Sequence, residues 1–158
     1  DLSDTRLYTV PLDGSLGEPL PMPVSGAGDF SPDGKQIAYN PIARDFRTWK
    51  RYQGGWQQDL YIFDLATHET KNITSNPRTD RDPMWIGDRI YFLSDRNGPT
   101  SLFVYDTASR KVSQALRSSA DIGSASAGPG CSATVTAASC SGSSVTLGVA
   151  CLVSSINV

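Results

Sequence analysis

Few residues of this sequence could make or break covalent bonds. It holds one histidine, His68, and three cysteines, Cys131, Cys140 and Cys151. Nucleophilic catalysis needs a serine, threonine or cysteine with a base in hydrogen-bond reach. The single imidazole lies in "LATHETK", a polar stretch between two apolar runs, and reads as a solvated turn residue. Neither a Gly-x-Ser-x-Gly elbow nor a phosphate-binding loop occurs. The cysteines are nine and eleven residues apart with no histidine nearby, which is not a common metal-ligand spacing. A disulfide between two of them would leave one thiol over. No metal or cofactor is expected, and no catalytic residue is assigned.

Two further groups could do polar work. Asp80, Asp82, Asp95 and Asp106 fall at expected turns and strand ends, and read as turn formers rather than acid/base pairs. "SDRNG" (94–98) begins like a calcium loop but lacks the later carboxylates, so it reads as a tight hairpin turn. The other group is "RTWKRYQGGW" (47–56), with three cations and three aromatics. Arg47, Lys50 and Arg51 could attract peptide carboxylates or an acidic surface, with Trp49, Tyr52 and Trp56 supplying contact area. The competing reading has the aromatics packing the loop down and the cations solvated.

Composition narrows the classes. The chain has 158 residues, enough for one domain, with 19% charged residues and a net charge of −2. That balance argues against a nucleic-acid partner, which usually meets a basic domain. No apolar run approaches the roughly 18–20 residues of a membrane helix, so no membrane partner is expected. The chain opens Asp-Leu-Ser-Asp, without Met or a signal-peptide pattern, which suits a processed product or a fragment. Asn72-Ile73-Thr74 fits a glycosylation sequon, a triplet common by chance.

The elements that would position these groups come from a repeat. "DLYIFDLATHETKNIT" (59–74) aligns with "SLFVYDTASRKVSQAL" (101–116), 42 residues on, and "RLYTVPLDGSLGEPLPM" (6–22) is a looser earlier copy. Each copy reads as two strands around a short turn. Leu60, Ile62 and Leu65 are expected near one face and Tyr61 and Phe63 on the other. Apolar residues on both faces imply sheets stacked on both sides. Upstream of each hairpin lies another, turning at Pro32-Asp33-Gly34 and at Gly87-Asp88. Four short strands at a WD40-like period indicate β-propeller blades. The reading is all-β: a partial propeller over 1–117, with a half blade at 6–22 and blades at 29–74 and 83–116. Two and a half blades cannot close a ring of about 4–8.

"FSPDGKQIAYN" (30–40) resembles the repeats of TolB-type proteins, prolyl oligopeptidase relatives and tricorn protease. "RDFRTWKRYQGGWQQDLYIFDL" (44–65) and "TDRDPMWIGDRIYFLSDRNGPTSLFVYD" (79–106) resemble the N-terminal six-bladed propeller of the tricorn protease family over roughly 5–117. The resemblance implies a larger, homo-oligomeric, cytoplasmic serine peptidase. Its parts would be two propellers, a PDZ-like domain and a C-terminal peptidase part acting on oligopeptides. This segment would then shape peptide access and domain assembly, its partners being the remaining blades and peptidase domains. The family's catalytic motifs lie outside it. The alternatives are a TolB-like propeller binding protein partners, which would be periplasmic, and the propeller of a prolyl-oligopeptidase-type hydrolase. The insertion at 41–58 suits the first reading best.

From Ser118 to Val158 the only charged side chain is Asp121, and aromatics are absent. A new blade is due near residue 120, but Ser, Ala, Gly, Thr and Cys follow. The tail reads as a low-complexity linker or as an out-of-frame product without a native blade. A one- or two-base shift restoring propeller sequence after codon 117 would identify the second.

Overall fold

The computed structural model describes residues 5–42, 54, 57–128, 132–138 and 144–150. Thirteen strands and no helix occur among them. A short hairpin, β1 (Tyr8–Thr9) and β2 (Glu18–Pro19), precedes two four-stranded antiparallel sheets. The first runs in chain order through β3 (Ala27–Phe30), β4 (Gln36–Asn40), β5 (Tyr61–Asp64) and β6 (Thr70–Asn72). The second runs through β7 (Asp80–Ile86), β8 (Arg89–Ser94), β9 (Ser101–Asp106) and β10 (Lys111–Leu116). Sequential four-stranded sheets stacked face to face are propeller blades. The all-β partial propeller expected from the repeat is the fold observed.

The repeat recurs as hydrogen bonds. The Leu20 amide donates to the Leu7 carbonyl at 2.9 Å, and the Ile73 amide to the Leu60 carbonyl at 2.9 Å. In the next hairpins, Asp64 and Asp106 occupy equal places. The Asp64 carboxylate takes the Ala66 and Thr67 amides, and the Asp106 carboxylate takes the Ser109 amide and hydroxyl. These bonds favour the ionised form. Led by the Thr67 amide for Asp64 and the Ser109 amide for Asp106, they hold both carboxyls below their ordinary value. Four residues after each acid the backbone turns left-handed, at His68 (φ 59°) and Arg110 (φ 58°). His68 is therefore a turn position that the next repeat fills with arginine. It is exposed and stacks on Phe63 with centroids 6.0 Å apart.

Both turn predictions hold. The Asp33 carboxylate ties the Ser31 hydroxyl and the Lys35 amide, with Gly34 at φ 68°. Gly87 (φ 60°) and Asp88 join β7 to β8 in two residues, with Ile86 opposite Arg89. No atom lies within 4 Å of a Cβ built at Gly87, so a substitution there is penalised by backbone conformation alone. Gly87→Ala should cost about 1–2 kcal/mol in urea unfolding. An unchanged midpoint would contradict the turn assignment.

Period-two alternation divides each sheet between two cores. Ile37, Tyr39 and Phe63 face the hairpin side with Met22. Ala38 and Leu60 face the other way, against Ile90, Phe92, Phe103 and Tyr105 of the next blade. Leu65 packs with Tyr61 and Phe63, not with Leu60 and Ile62, because its odd position shares their parity. Met84, Ile86, Leu93 and Leu102 form a third core with Ile122.

Ile122 lies beyond the expected limit of 117 and joins this third core. It is 1% exposed, and its amide donates to the Thr100 carbonyl at 3.0 Å. It opens β11 (Ile122–Gly128), which pairs with β12 (Ser132–Ala138) and through it with β13 (Ser144–Ala150). One branched side chain fills the pocket that the preceding blade leaves open, and backbone pairing needs no large side chains. A three-stranded antiparallel sheet thus follows Ser118 among the described residues. The three cysteines lie outside the described residues.

Candidate functional site

The first strands of three successive sheets, β3, β7 and β11, line one cleft of about 660 Å³. Each is the edge strand of its sheet. Propellers place such strands around a central channel. The ionisable side chains lining it are Asp29, Arg81 and Asp82. Their positions follow from a β-bulge in β7, where the register shifts between Arg81 and Met84 and Asp82 is left-handed at φ 54°. A bulge re-aims side chains beside a site. Here Arg81 pairs with the Asp82 carboxylate and also donates to the Gly123 carbonyl of β11 at 3.2 Å. Asp82, expected as a turn former, is a bulge residue instead.

The exposed edge of β7 is largely blunted. The Trp85 amide donates to the Asp29 carboxylate at 2.8 Å, and the Asp82 amide to the Asn40 side-chain oxygen at 3.2 Å. Pro83 between them has no N–H. Side chains of the preceding blade thus occupy the donors a fifth strand would use, a known protection of edge strands. The cleft offers a charged wall and side-chain contacts rather than strand addition along β7.

Behind the cleft lies a buried polar network that the sequence reading missed. Asn40 and Gln58, 2% and 1% exposed, bond each other at 2.8 Å. The Asp80 amide donates to the Gln58 carbonyl at 2.9 Å. The Asp80 carboxylate is fully buried, and its Oδ2 takes the Asn76 amide group at 2.5 Å and the Arg96 guanidinium at 2.8 Å. Arg96 lies over the Phe92 and Phe103 rings, 5.4 and 4.9 Å from their centroids. Burial pushes the Asp80 carboxyl above its ordinary value, opposed by the Ser94 hydroxyl, Arg96 and the Thr74 hydroxyl. Asp80 was expected at a turn. It is instead buried at the start of β7, because its strand is covered on both faces. Asp95 and Asp106 do serve turns: the Gly98 amide meets the Asp95 carbonyl at 3.3 Å, while the Asp95 carboxylate tethers the Thr79 amide at 3.1 Å.

The remaining candidates separate. Arg47, Trp49, Lys50, Arg51, Tyr52 and Trp56 lie outside the described residues, in the connection between β4 and β5. His68 sits on the turn into β6, at the far edge of the sheet from β3. Three strand spacings put it about 14 Å from the cleft wall of that sheet. Thr74 of the sequon is 4% exposed and its hydroxyl accepts the Leu60 amide at 2.9 Å, while the Asn72 side chain bonds Asp59 at 2.8 Å. The sequon groups therefore serve the fold. Among the described residues no group of three or more histidine, cysteine, aspartate or glutamate side chains is placed to hold a metal.

Known proteins resemble this chain in sequence and in fold. "Tricorn protease homolog 1" of Streptomyces coelicolor is 32% identical over 96 residues, covering 60% of this chain and 9% of that protein. The chain thus spans a small part of that curated relative. The crystal structure of the tricorn protease superposes with a TM-score of 0.67 at 20% identity, over 91% of this chain and 14% of that one. TolB from Acinetobacter baumannii gives 0.66 at 18% identity, over 90% and 34%. At such identities the structural likeness carries the fold alone. Residues 1–131 match the family described as the tricorn protease N-terminal beta propeller domain, fourteen residues beyond the expected limit of 117. With most of its length inside that match, the chain belongs to the tricorn protease N-terminal β-propeller family.

Proposed function

We propose that this chain is a channel-shaping part of a larger tricorn-like serine peptidase, guiding oligopeptides and docking neighbouring domains while the bond cleavage occurs elsewhere. The observation that carries the reading is the cleft lined by the first strands of three successive blades, in a chain of this family. Arg81, Asp82 and Asp29 present charge along it. The single histidine lies on a turn away from this cleft. Arg47, Trp49, Lys50, Arg51, Tyr52 and Trp56 are assigned to the same role, as a channel or partner surface on the insertion. Cytoplasmic residence and a homo-oligomeric parent are part of this reading and rest on the family alone.

Exposed apolar side chains on the first hairpin support a need for neighbouring chain. Val10 is 66% exposed, yet its repeat mate Phe63 is 1% exposed, packed with Met22, Ile37 and Tyr39.

The test uses the full-length protein. Arg81→Glu and the pair Lys50→Glu/Arg51→Glu should each change the kcat/KM for peptides of about eight residues by several-fold. Hydrolysis of a short fluorogenic substrate at saturation should change less. Equal kinetics for both substrates in both variants would sink the channel reading. The 158-residue chain purified alone should hydrolyse neither substrate, and robust turnover by protease-free material would overturn the division of labour. A TolB-like binder remains the second reading, favoured only if the gene ends soon after the propeller.

A further inference from the structure

The buried carboxyl of Asp80 is used by neither the fold's repeat nor the cleft, and its surroundings suggest a purpose. Three separate segments meet on this residue, two at its carboxylate and one at its backbone amide. Asn76 comes from the connection between the two complete blades, Arg96 from the turn between β8 and β9, and Gln58 from the foot of the connection between β4 and β5. Two of these attach to one oxygen, Oδ2. The other oxygen, Oδ1, is equally buried and meets no donor in hydrogen-bond geometry. The charge is thus bonded through Oδ2, while the Ser94 and Thr74 hydroxyls favour the ionised form without outweighing burial.

We propose that Asp80 is a protonation-sensitive latch between the two complete blades. In the charged state Oδ1 is a buried acceptor that meets no donor in hydrogen-bond geometry, which is costly in a dry interior. A proton taken from solvent onto Oδ1 removes that cost. The same proton leaves Oδ2 free to keep accepting from Asn76 and Arg96. The blade junction is therefore tightest with Asp80 neutral and loosens as the group ionises.

Other charges around the site do not replace this one. Arg96 is bonded to Asp80 and favours its ionised form. Arg81 and Asp82, further along β7, pair with each other on the cleft side. Asp95 takes the Thr79 amide, Asp59 takes the Asn72 side chain, and Arg78 lies on the connection itself.

The sign follows from linkage. An acid whose folded value is raised binds more protons folded than unfolded, so stability falls as pH rises from the ordinary carboxylate value through the raised one. The lowered carboxyls, Asp13, Asp33, Asp64 and Asp106, lose their stabilisation only as pH falls below the ordinary value. The mildly acid range above it therefore reports Asp80.

The experiment follows the carboxyl 13C shift of Asp80 in the full chain from pH 3 to pH 9, with amide exchange of residues 80–86 in parallel. A midpoint above the ordinary value is expected, together with protection that drops by up to about tenfold per pH unit across it. Asp80→Asn, isosteric with the neutral form, should show flat protection over that range. Arg96→Gln should move the Asp80 midpoint further up, a response a purely structural contact would not give. An Asp80 midpoint at or below the ordinary carboxylate value overturns the proposal, whether or not the variants fold. A slope that persists in Asp80→Asn overturns it too.

Discussion

Truncating Phe92 to alanine is expected to cost about 3–5 kcal/mol. The ring is 0% exposed in the core shared by the two complete blades, packed with Ala38, Leu60, Ile90, Phe103 and Tyr105. Its centroid is 6.1 Å from that of Phe103, and the two rings carry the Arg96 guanidinium. Removing it deletes apolar burial, an aromatic pair and half of a cation–π platform, and leaves a void that stiff strands on both sides cannot close. Domains are stable by only about 5–15 kcal/mol, so the variant should be largely unfolded at moderate urea. Tyr8→Ala is the control. Tyr8 is 59% exposed on the first hairpin, and its loss should stay within about 0.5 kcal/mol. Urea unfolding followed by tryptophan fluorescence reads both. A cost for Phe92 below that for Tyr8 would mean that the blades do not stack as described.

The second large effect is the loss of Arg96. Arg96→Met retains a flexible apolar stem over the rings but strips the cation from Asp80. Breaking a buried pair by removing one partner costs about 3–5 kcal/mol, because the remaining charge stays buried without compensation. The cost should be largest at neutral pH and shrink in acid, where Asp80 takes a proton. The double variant Asp80→Leu/Arg96→Met should recover much of the loss, since well-packed apolar replacements of buried pairs are often neutral. Denaturation of the four proteins at pH 5 and pH 8 forms the cycle. Equal costs at both pH values would show that the pair is not the source of the effect.

Several parts of this protein are legible in its residues because they depend on local chemistry. Gly34 and Gly87 stand where turns need positive φ, and the structure places them so. The 42-residue offset appears again as paired Asp64 and Asp106 turns, with His68 and Arg110 left-handed in equal places. His68 could be set aside as a catalyst from its context alone.

What chemistry the acids perform was not legible. Asp80, Asp82 and Asp106 look alike as letters beside turn residues. Asp106 is a turn former, Asp82 sits at a bulge beside the cleft, and Asp80 is buried among Asn76, Arg96 and Ser94. Burial is a property of what stacks above and below a strand, and neither neighbour is near in sequence. The same reason explains Ile122. In a small-residue stretch it looked like part of a foreign tail, yet it completes a core made by Met84, Ile86, Leu93 and Leu102.

The sequence by itself therefore determined the blade, since turns and alternation are short-range and repeat within one unit. It also determined the family, through stretches of residues specific to it. The tertiary structure alone decided the cleft and the Asp80 network. Both are built between blades, from side chains up to about 100 residues apart in the chain, and their charges and hydrogen bonds exist only once the sheets stack.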